Sequence, residues 1–427
     1  MNSASISSLG TVRVLDAKVE FIEQPFVKPL QISSGTITRI TEARAEVRVC
    51  LDAVEATGCG SIYLSDLWAW PDTTRTHEER DAVLRGFCIE ATRRLTEWCG
   101  EPAHPLELGM RLHCNATEHP ILPALATAMC ISPFDAALHD AVGQALLLPA
   151  FSFYEQDFPV PTADALFGGK SVVRAIRQLL HRPPQTSMPA WYLVSATDDL
   201  DDGSARWAGG RYSCFKIKVL AKDACNDAMR TAAVYRRALT SGVVRPRLSL
   251  DSNEGNLDPA SVLDYLLALR SIDAQAFDAL EYLEQPTGRD IQADAHDWRP
   301  VTRLKPILLD EGLTDLELLP LAREQGWSGL ALKTCKGHSF ALTAAAWARE
   351  QEMAVALQDL TNPGFSAIHA ALFAAHVPTI NGVELNSPQF TPAANAEWMP
   401  RLAGLFEPCA GRHILPPATT AGLGSTL

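Results

Sequence analysis

FKIKV at 215–219, LSLDSNEG at 248–255, EYLEQP at 281–286, ILLDEG at 307–312 and LALKTCKG at 330–337 are built alike. Each is a short apolar run ending in ionisable side chains. The runs belong to a longer series at 191–194, 215–219, 248–250, 280–283, 307–309, 330–332, 355–357 and 382–385, with starts 23 to 33 residues apart. A helical stretch follows each run. Strands and helices alternating at this size point to parallel βα units. Eight such units predict an α/β fold closed into a (β/α)-barrel.

Upstream the pattern differs. Residues 12–21 and 43–51 alternate apolar and polar positions, as half-buried strands do. Between them lies a small-residue loop, LQISSGTIT at 30–38. A glycine- and aromatic-rich loop, GCGSIYLSDLWAWP, fills 58–71. Residues 78–98 carry a helical pattern. So do 124–129 and 133–147, as one helix or as two broken at Pro133. Residues 1–150 are therefore expected to form an N-terminal α+β capping domain, and 151–400 the barrel. Residues 151–189 should be a proline-rich connector with one helix near 171–181. Residues 401–427 are expected to return over the cap.

In such barrels the chemistry sits at the C-terminal strand ends. Lys216 and Lys218 stand at the second end, Asp251 at the third and Glu284 at the fourth. Asp310 and Glu311 stand at the fifth, Lys333 at the sixth, Gln358-Asp359 at the seventh and Glu384-x-Asn386 at the eighth. Taken singly these are ordinary. Lys-x-Lys commonly marks a solvated strand edge, and an Asp after an apolar run commonly caps the next helix. A barrel strand is covered on both faces, however, so charge there is costly unless paired or used. Asp251, Glu284 and Asp310 offer three hard oxygen donors, which suits Mg²⁺. Lys216 and Lys218, two apart, face the same way, and Lys333 lies four strands on, opposite them. A cation pair beside a metal lowers a lysine's pKa, because like charges disfavour the protonated form, which predicts a lysine general base.

The arrangement resembles the enolase superfamily, specifically its muconate lactonizing enzyme subgroup. FKIKV, LDSNEG, EQP, LLDEG and LALKTCKG match it in order and spacing over nearly the whole chain. The resemblance implies Asp251, Glu284 and Asp310 as magnesium ligands. It implies Lys218 as base on one substrate face, Lys333 as acid/base on the other, and Lys216 as the companion that lowers Lys218 and meets the substrate carboxylate. Asn253 and Glu311 would steady the ligands from behind. Segments 32–36 and 58–64 would close over the substrate, which makes Ile32 and Ser34 candidate contacts.

Mandelate-racemase-like relatives place a histidine at the seventh strand end. Here Gln358-Asp359 stands there, and His369 is expected on the following helix. Dipeptide epimerases carry Asp-x-Asp at the eighth end to hold an ammonium group. Glu384 and Asn386 occupy that place, as candidate substrate contacts. The implied reaction is removal of the proton α to a carboxylate, leading to racemisation or epimerisation of an amino-acid or dipeptide-like substrate. An acid-sugar dehydratase is the alternative, with Ser33, Ser34, Thr36, Asn362 and Asn386 as hydrogen-bonding groups for a polyol. A Schiff-base aldolase or a ligand-binding barrel without catalysis are more distant readings.

Over 427 residues the net charge is −13, with 47% hydrophobic and 20% charged residues. That argues against nucleic acid or an anionic membrane, both of which need a basic face, and is compatible with the small carboxylate substrate that the resemblance implies. Residues 1–10 have no apolar core of a signal peptide, and 121–151 is too interrupted to span a bilayer. A cytoplasmic homo-oligomer is expected. Of ten cysteines, Cys50 with Cys59 or Cys88 with Cys99 are candidate bridges, against the expectation of free thiols.

Overall fold

The computed structural model describes residues 10–32, 34–117, 119–200, 210–358 and 362–427. The expectations for residues 1–9, Ser33 and Asp359 lie outside the described residues.

Three antiparallel strands, β1 (Val12–Ile32), β2 (Gly35–Leu51) and β3 (Val54–Leu64), form a sheet in that order. The expected loop at 30–38 is instead the paired tip of a long hairpin. Leu30 faces Ile37, Gln31 faces Thr36 and Ile32 faces Gly35. The small polar residues there mark only the turn. Likewise 58–64, expected as loop, belongs to β3, and a single helical turn, Asp66–Ala69, follows it.

The helix Ala124–Leu146 packs on this sheet and runs unbroken through Pro133. A proline there strips the carbonyl four residues back of its N–H partner. That carbonyl belongs to Met129, and it accepts the Ser132 hydroxyl at 2.8 Å instead. Close contact demands glycine on the strand. A Cβ at Gly60 would stand 1.9 Å from the Pro133 carbonyl oxygen, and one at Gly58 2.1 Å from the Ala141 nitrogen. The helix His77–Cys99 starts on a capping box between Thr76 and Glu79. A further helix, Pro105–Thr117, has no counterpart in the sequence reading.

The connector is more ordered than expected. It holds short helical pieces, the helix Val172–Leu179 and strand β4 (Ser187–Pro189). The tail returns across this region. Its strand β12 (Arg412–Ile414) pairs with β4. Farther on, Asp140 of the long cap helix accepts from Leu423 N at 2.8 Å and Cys59 N at 3.0 Å.

The barrel sheet is parallel and seven-stranded: β5 (Trp191–Val194), β6 (Cys214–Lys218), β7 (Arg247–Asp251), β8 (Leu280–Glu284), β9 (Ile307–Leu309), β10 (Gly329–Lys333) and β11 (Ala354–Gln358), neighbours in sequence order. The eighth run, 382–385, does not form a ladder strand. Two backbone bonds to β11 remain, Ile380 N to Val355 O at 2.8 Å and Glu384 N to Leu357 O at 3.2 Å, and side-chain amides supply others. Asn381 Oδ1 and Nδ2 bond Leu357 N and O at 2.9 and 2.8 Å. On the other side Gln389 bonds Leu193 N and O at 2.8 and 3.2 Å. The segment thus bridges β11 and β5 without regular peptide pairing.

The ten cysteines are free thiols. Cys88 and Cys99 lie on one helix, 11 residues and so about 16 Å apart, too far to bridge. Cys50 pairs across the sheet with Glu55 and Cys59 with Glu46, which separates them along the ladder.

Candidate functional site

Register alone assembles the centre. Lys218 faces Asp251 and Asp251 faces Glu284 across three adjacent strands, while Lys333 faces Gln358. The backbone bends sharply just beyond. Asn253, Glu254 and Gln285 take φ of 44, 67 and 31, left-handed values that non-glycine residues rarely adopt. Gln285, hidden in the EQP motif, is a strut whose Oε1 accepts from Asp310 N at 2.9 Å and Gly312 N at 3.0 Å.

Asp251, Glu284 and Asp310 are buried, at 1%, 1% and 0% exposure. Each is tied to a lysine: Asp251 to Lys218, Glu284 to Lys216, Asp310 to Lys333. Lys216 sits at the centre, also 3.1 Å from Asp251 and 3.3 Å from Glu384. Lys218 donates to Asn253 at 2.9 Å, and Asn253 donates to Glu311 at 3.1 Å. Asn386 donates to Glu384 at 2.7 Å.

Three further participants join the centre, of which Gln358 was marked from the sequence only as the seventh strand end. Gln358 accepts from Lys216 at 3.0 Å and Lys333 at 3.2 Å, and donates to Glu284. Lys336 donates to the Asp310 carbonyl at 2.6 Å. Trp68, from the cap, donates to Glu311 at 2.8 Å and lays its ring 5.0 Å from the Lys333 ammonium. The second lysine of LALKTCKG was the only available signal for Lys336.

Burial works to lower Lys216, but Glu284, Glu384 and Asp251 outweigh it and hold its ammonium well above the usual lysine value. Lys333 is likewise raised, by Asp310 and Glu284 against burial. The neighbouring cation matters less than the carboxylates around it. Burial and the Asp251 charge push Glu284 well above the usual carboxylate range. Asp251, despite burial, is held well below it by Lys218 and Lys216. Burial and Asp310 push Glu311 up to about 7.

Lys216, Lys218, Lys333, Asn253, Glu384, Asn386 and Ile32 share the wall of one cavity of about 50 Å³. Ser34 is not in that wall, and its hydroxyl donates to the Leu67 carbonyl at 3.1 Å. His369 lies on the helix Gly364–His376, against His338 at 3.0 Å. A larger cavity, about 520 Å³, lies between the cap sheet and Trp398 and contains none of these strand-end groups.

Among the described residues no three carboxylate, histidine or thiol groups stand close enough to hold one metal ion. The lysine ammonium groups fill the gaps between the carboxylates. The donor set itself fits a hard dication. It offers three buried carboxylates, two of them directly paired in register with Glu284 raised by its neighbour, and a buried Glu311 Oε2 without a hydrogen-bond partner among the described residues. No described helix is long and apolar enough to cross a membrane.

No family model and no curated protein sequence matches the chain. Solved structures do. A dipeptide epimerase from Enterococcus faecalis, complexed with Mg and the dipeptide L-Leu-L-Tyr, is similar at TM-score 0.66 and 16% identity, over 96% of this chain and 99% of that one. A muconate lactonizing enzyme from Pseudomonas fluorescens, complexed with muconolactone, gives 0.64 and 18%, over 97% and 96%. An N-succinyl Arg/Lys racemase from Bacillus cereus gives 0.63 and 17%, over 96% and 95%. At these identities the likeness is one of fold: a (β/α)-barrel beneath an N-terminal α+β domain, matched along nearly the full chain.

Proposed function

We propose that this chain is a Mg²⁺-dependent enzyme of the enolase superfamily, of the muconate lactonizing enzyme-like subgroup. It removes the proton α to the carboxylate of a small substrate and leads to racemisation or epimerisation. One observation carries the reading. Lys218 and Lys333, from β6 and β10, open onto a single cavity, and each is held by a carboxylate of the strand-end trio.

Asp251, Glu284 and Asp310 would hold the dication. For them to do so, Lys216 has to yield Asp251 and Glu284. A dication bound beside the substrate carboxylate stabilises the charge that develops as the α-proton leaves. The residues supply the rest. One lysine, as the free amine, takes the α-proton from its face of the carbon. The other, as ammonium, returns a proton to the opposite face. Asn253 and Glu311 hold Lys218, while Gln358 spans Lys216 and Lys333 and keeps their ammonium groups aligned. Glu384, with Asn386 fixing it, offers a carboxylate to a substrate ammonium group.

The test is proton NMR in D₂O with Mg²⁺ over dipeptides, N-acylated amino acids and acid sugars. Deuterium should wash into the α-carbon of one of the first two classes. Absence of wash-in across all three would sink the proposal.

A further inference from the structure

The end of the barrel opposite the strand-end acids holds a further cavity, of about 270 Å³. Its wall draws on four parts of the chain: the connector before β5, the first residue of β7, the segment after the helix Gly364–His376, and the tail strand β12. Arg247 opens β7 and Asp251 closes it. A strand rises about 3.3 Å per residue, so these two stand about 13 Å apart along the barrel. No wall residue of this cavity is shared with the cavity of the lysines.

Its charge is one-sided. Arg182, Arg247 and Arg412 line it, and among the described residues no aspartate or glutamate does. The chain as a whole carries a net charge of −13, so the surface was not simply left basic. Arg247 is answered from outside the wall by both oxygens of Glu281, and it donates to the Ile380 carbonyl at 2.8 Å. The other two have no carboxylate partner among the described residues. Arg182 makes no hydrogen bond or ion pair there at all. Arg412 uses Nε on the Ser187 hydroxyl at 3.0 Å and Nη2 on the Ser187 carbonyl at 2.8 Å, which leaves Nη1. Fastening the tail explains those bonds of Arg412. It does not explain two uncompensated guanidinium groups, from connector and tail, on one wall. His376 lines the same cavity, and its Nε2 is buried without a partner among the described residues. Much of the remaining wall is apolar, with Met188, Pro189, Val377, Pro378 and Ile380.

We propose that this cavity binds a phosphomonoester with a compact apolar body, at a site separate from that of the reaction. A guanidinium fork matches the oxygens of a phosphate. A phosphomonoester near neutral pH carries close to two negative charges, one for each unanswered arginine. A carboxylate brings one charge and two oxygens. The apolar body rests on Met188, Pro378 and Ile380. The bound molecule joins the connector, through Arg182, to the tail, through Arg412, and so stabilises the fold without entering the reaction.

The test is calorimetric titration of phenyl phosphate into the full-length protein, at low ionic strength because salt screens exposed charges. Saturable one-to-one binding is expected. Arg182→Gln and Arg412→Gln should each weaken it about tenfold, the loss of one charge-assisted pair. Arg93→Gln, exposed on the cap helix His77–Cys99, should leave it unchanged. Benzoate, with the same ring and half the charge, should bind about tenfold more weakly than phenyl phosphate. Phenyl phosphate should also raise the melting temperature, and Arg182→Gln should lose most of that rise. Melting curves without ligand show which variants fold. If Arg412→Gln loosens the tail strand and does not fold, Arg182→Gln, which removes no contact, decides alone. No saturable binding of phenyl phosphate, an unchanged affinity in folded Arg182→Gln, or benzoate binding as tightly as phenyl phosphate overturns the proposal.

Discussion

Replacing Gln358 by leucine removes three hydrogen bonds at once while nearly keeping the side chain's volume. The amide is fully buried, accepts from Lys216 and Lys333, and donates to Glu284. Bonds to charged groups contribute about 1.5–3 kcal/mol each, which gives an upper bound near 9 kcal/mol. The structure argues for much less. Lys216 keeps Asp251 and Glu384 within 3.3 Å, Lys333 keeps Asp310, and Glu284 keeps Lys216. No charge is stranded, so about 1 kcal/mol per bond is the better figure and about 3 kcal/mol the total. That should lower the melting temperature by roughly 3 °C. It should also slow α-proton exchange more than tenfold, because the two ammonium groups lose their common anchor. Scanning calorimetry and exchange in D₂O read both. A Gln358→Leu protein that melts within a degree of the parent and exchanges at the parental rate refutes the strut.

Three further outcomes follow from the same contacts. Mg²⁺ at a hundredfold above its Kd should stabilise the fold by about 2.7 kcal/mol; Asp251→Asn, Glu284→Gln or Asp310→Asn should each erase the melting shift, and a shift retained in all three would refute the ligand set. Burial holds His413 and His376 down to about 4 and His369 to about 3, so the unfolded chain, with imidazoles near 6.5, binds more protons; stability is complete above about pH 6.5 and lost as pH falls toward 4, and a melting temperature flat over that window would contradict the burial. Gly60→Ala should push the Ala124–Leu146 helix off β3 and cost several kcal/mol, whereas Gly86→Ala, with nothing within 4 Å of the new methyl, should stabilise by about 0.5–1 kcal/mol; similar melting of the two variants would refute the close packing.

Legibility in the sequence tracks how local the cause is. The βα rhythm was readable because every barrel strand is an apolar run covered on both faces, and the strand-end charges stood out against it. The hairpin tip was not, because Ser34 and Gly35 serve a turn while Leu30, Ile32 and Ile37 pair across it, and composition blurs the two. Run 382–385 has the apolar content of a strand but keeps one backbone bond to β11, from Glu384 N to Leu357 O, and is held largely by Asn381 and Gln389, side chains outside the run. Pro133 looked like a break because the Ser132 hydroxyl that covers the Met129 carbonyl is visible only in three dimensions. Trp68 meets Glu311 across 243 residues, and Gln358 meets Glu284 across 74. No periodicity encodes such contacts. The three carboxylates that hold the Lys216 ammonium come from three other strand ends, so its charge balance too is visible only in three dimensions.

The two-lysine arrangement is tested most directly by α-proton exchange in D₂O with each stereoisomer of an accepted substrate, in Lys218→Ala and in Lys333→Ala. Lys218 and Lys333 stand on β6 and β10, on either side of the cavity they share. Each alanine variant should therefore exchange the α-proton of one isomer only, the two variants should select opposite isomers, and neither should complete the inversion. Full inversion surviving in either variant, or both variants exchanging the same isomer, would contradict the assignment.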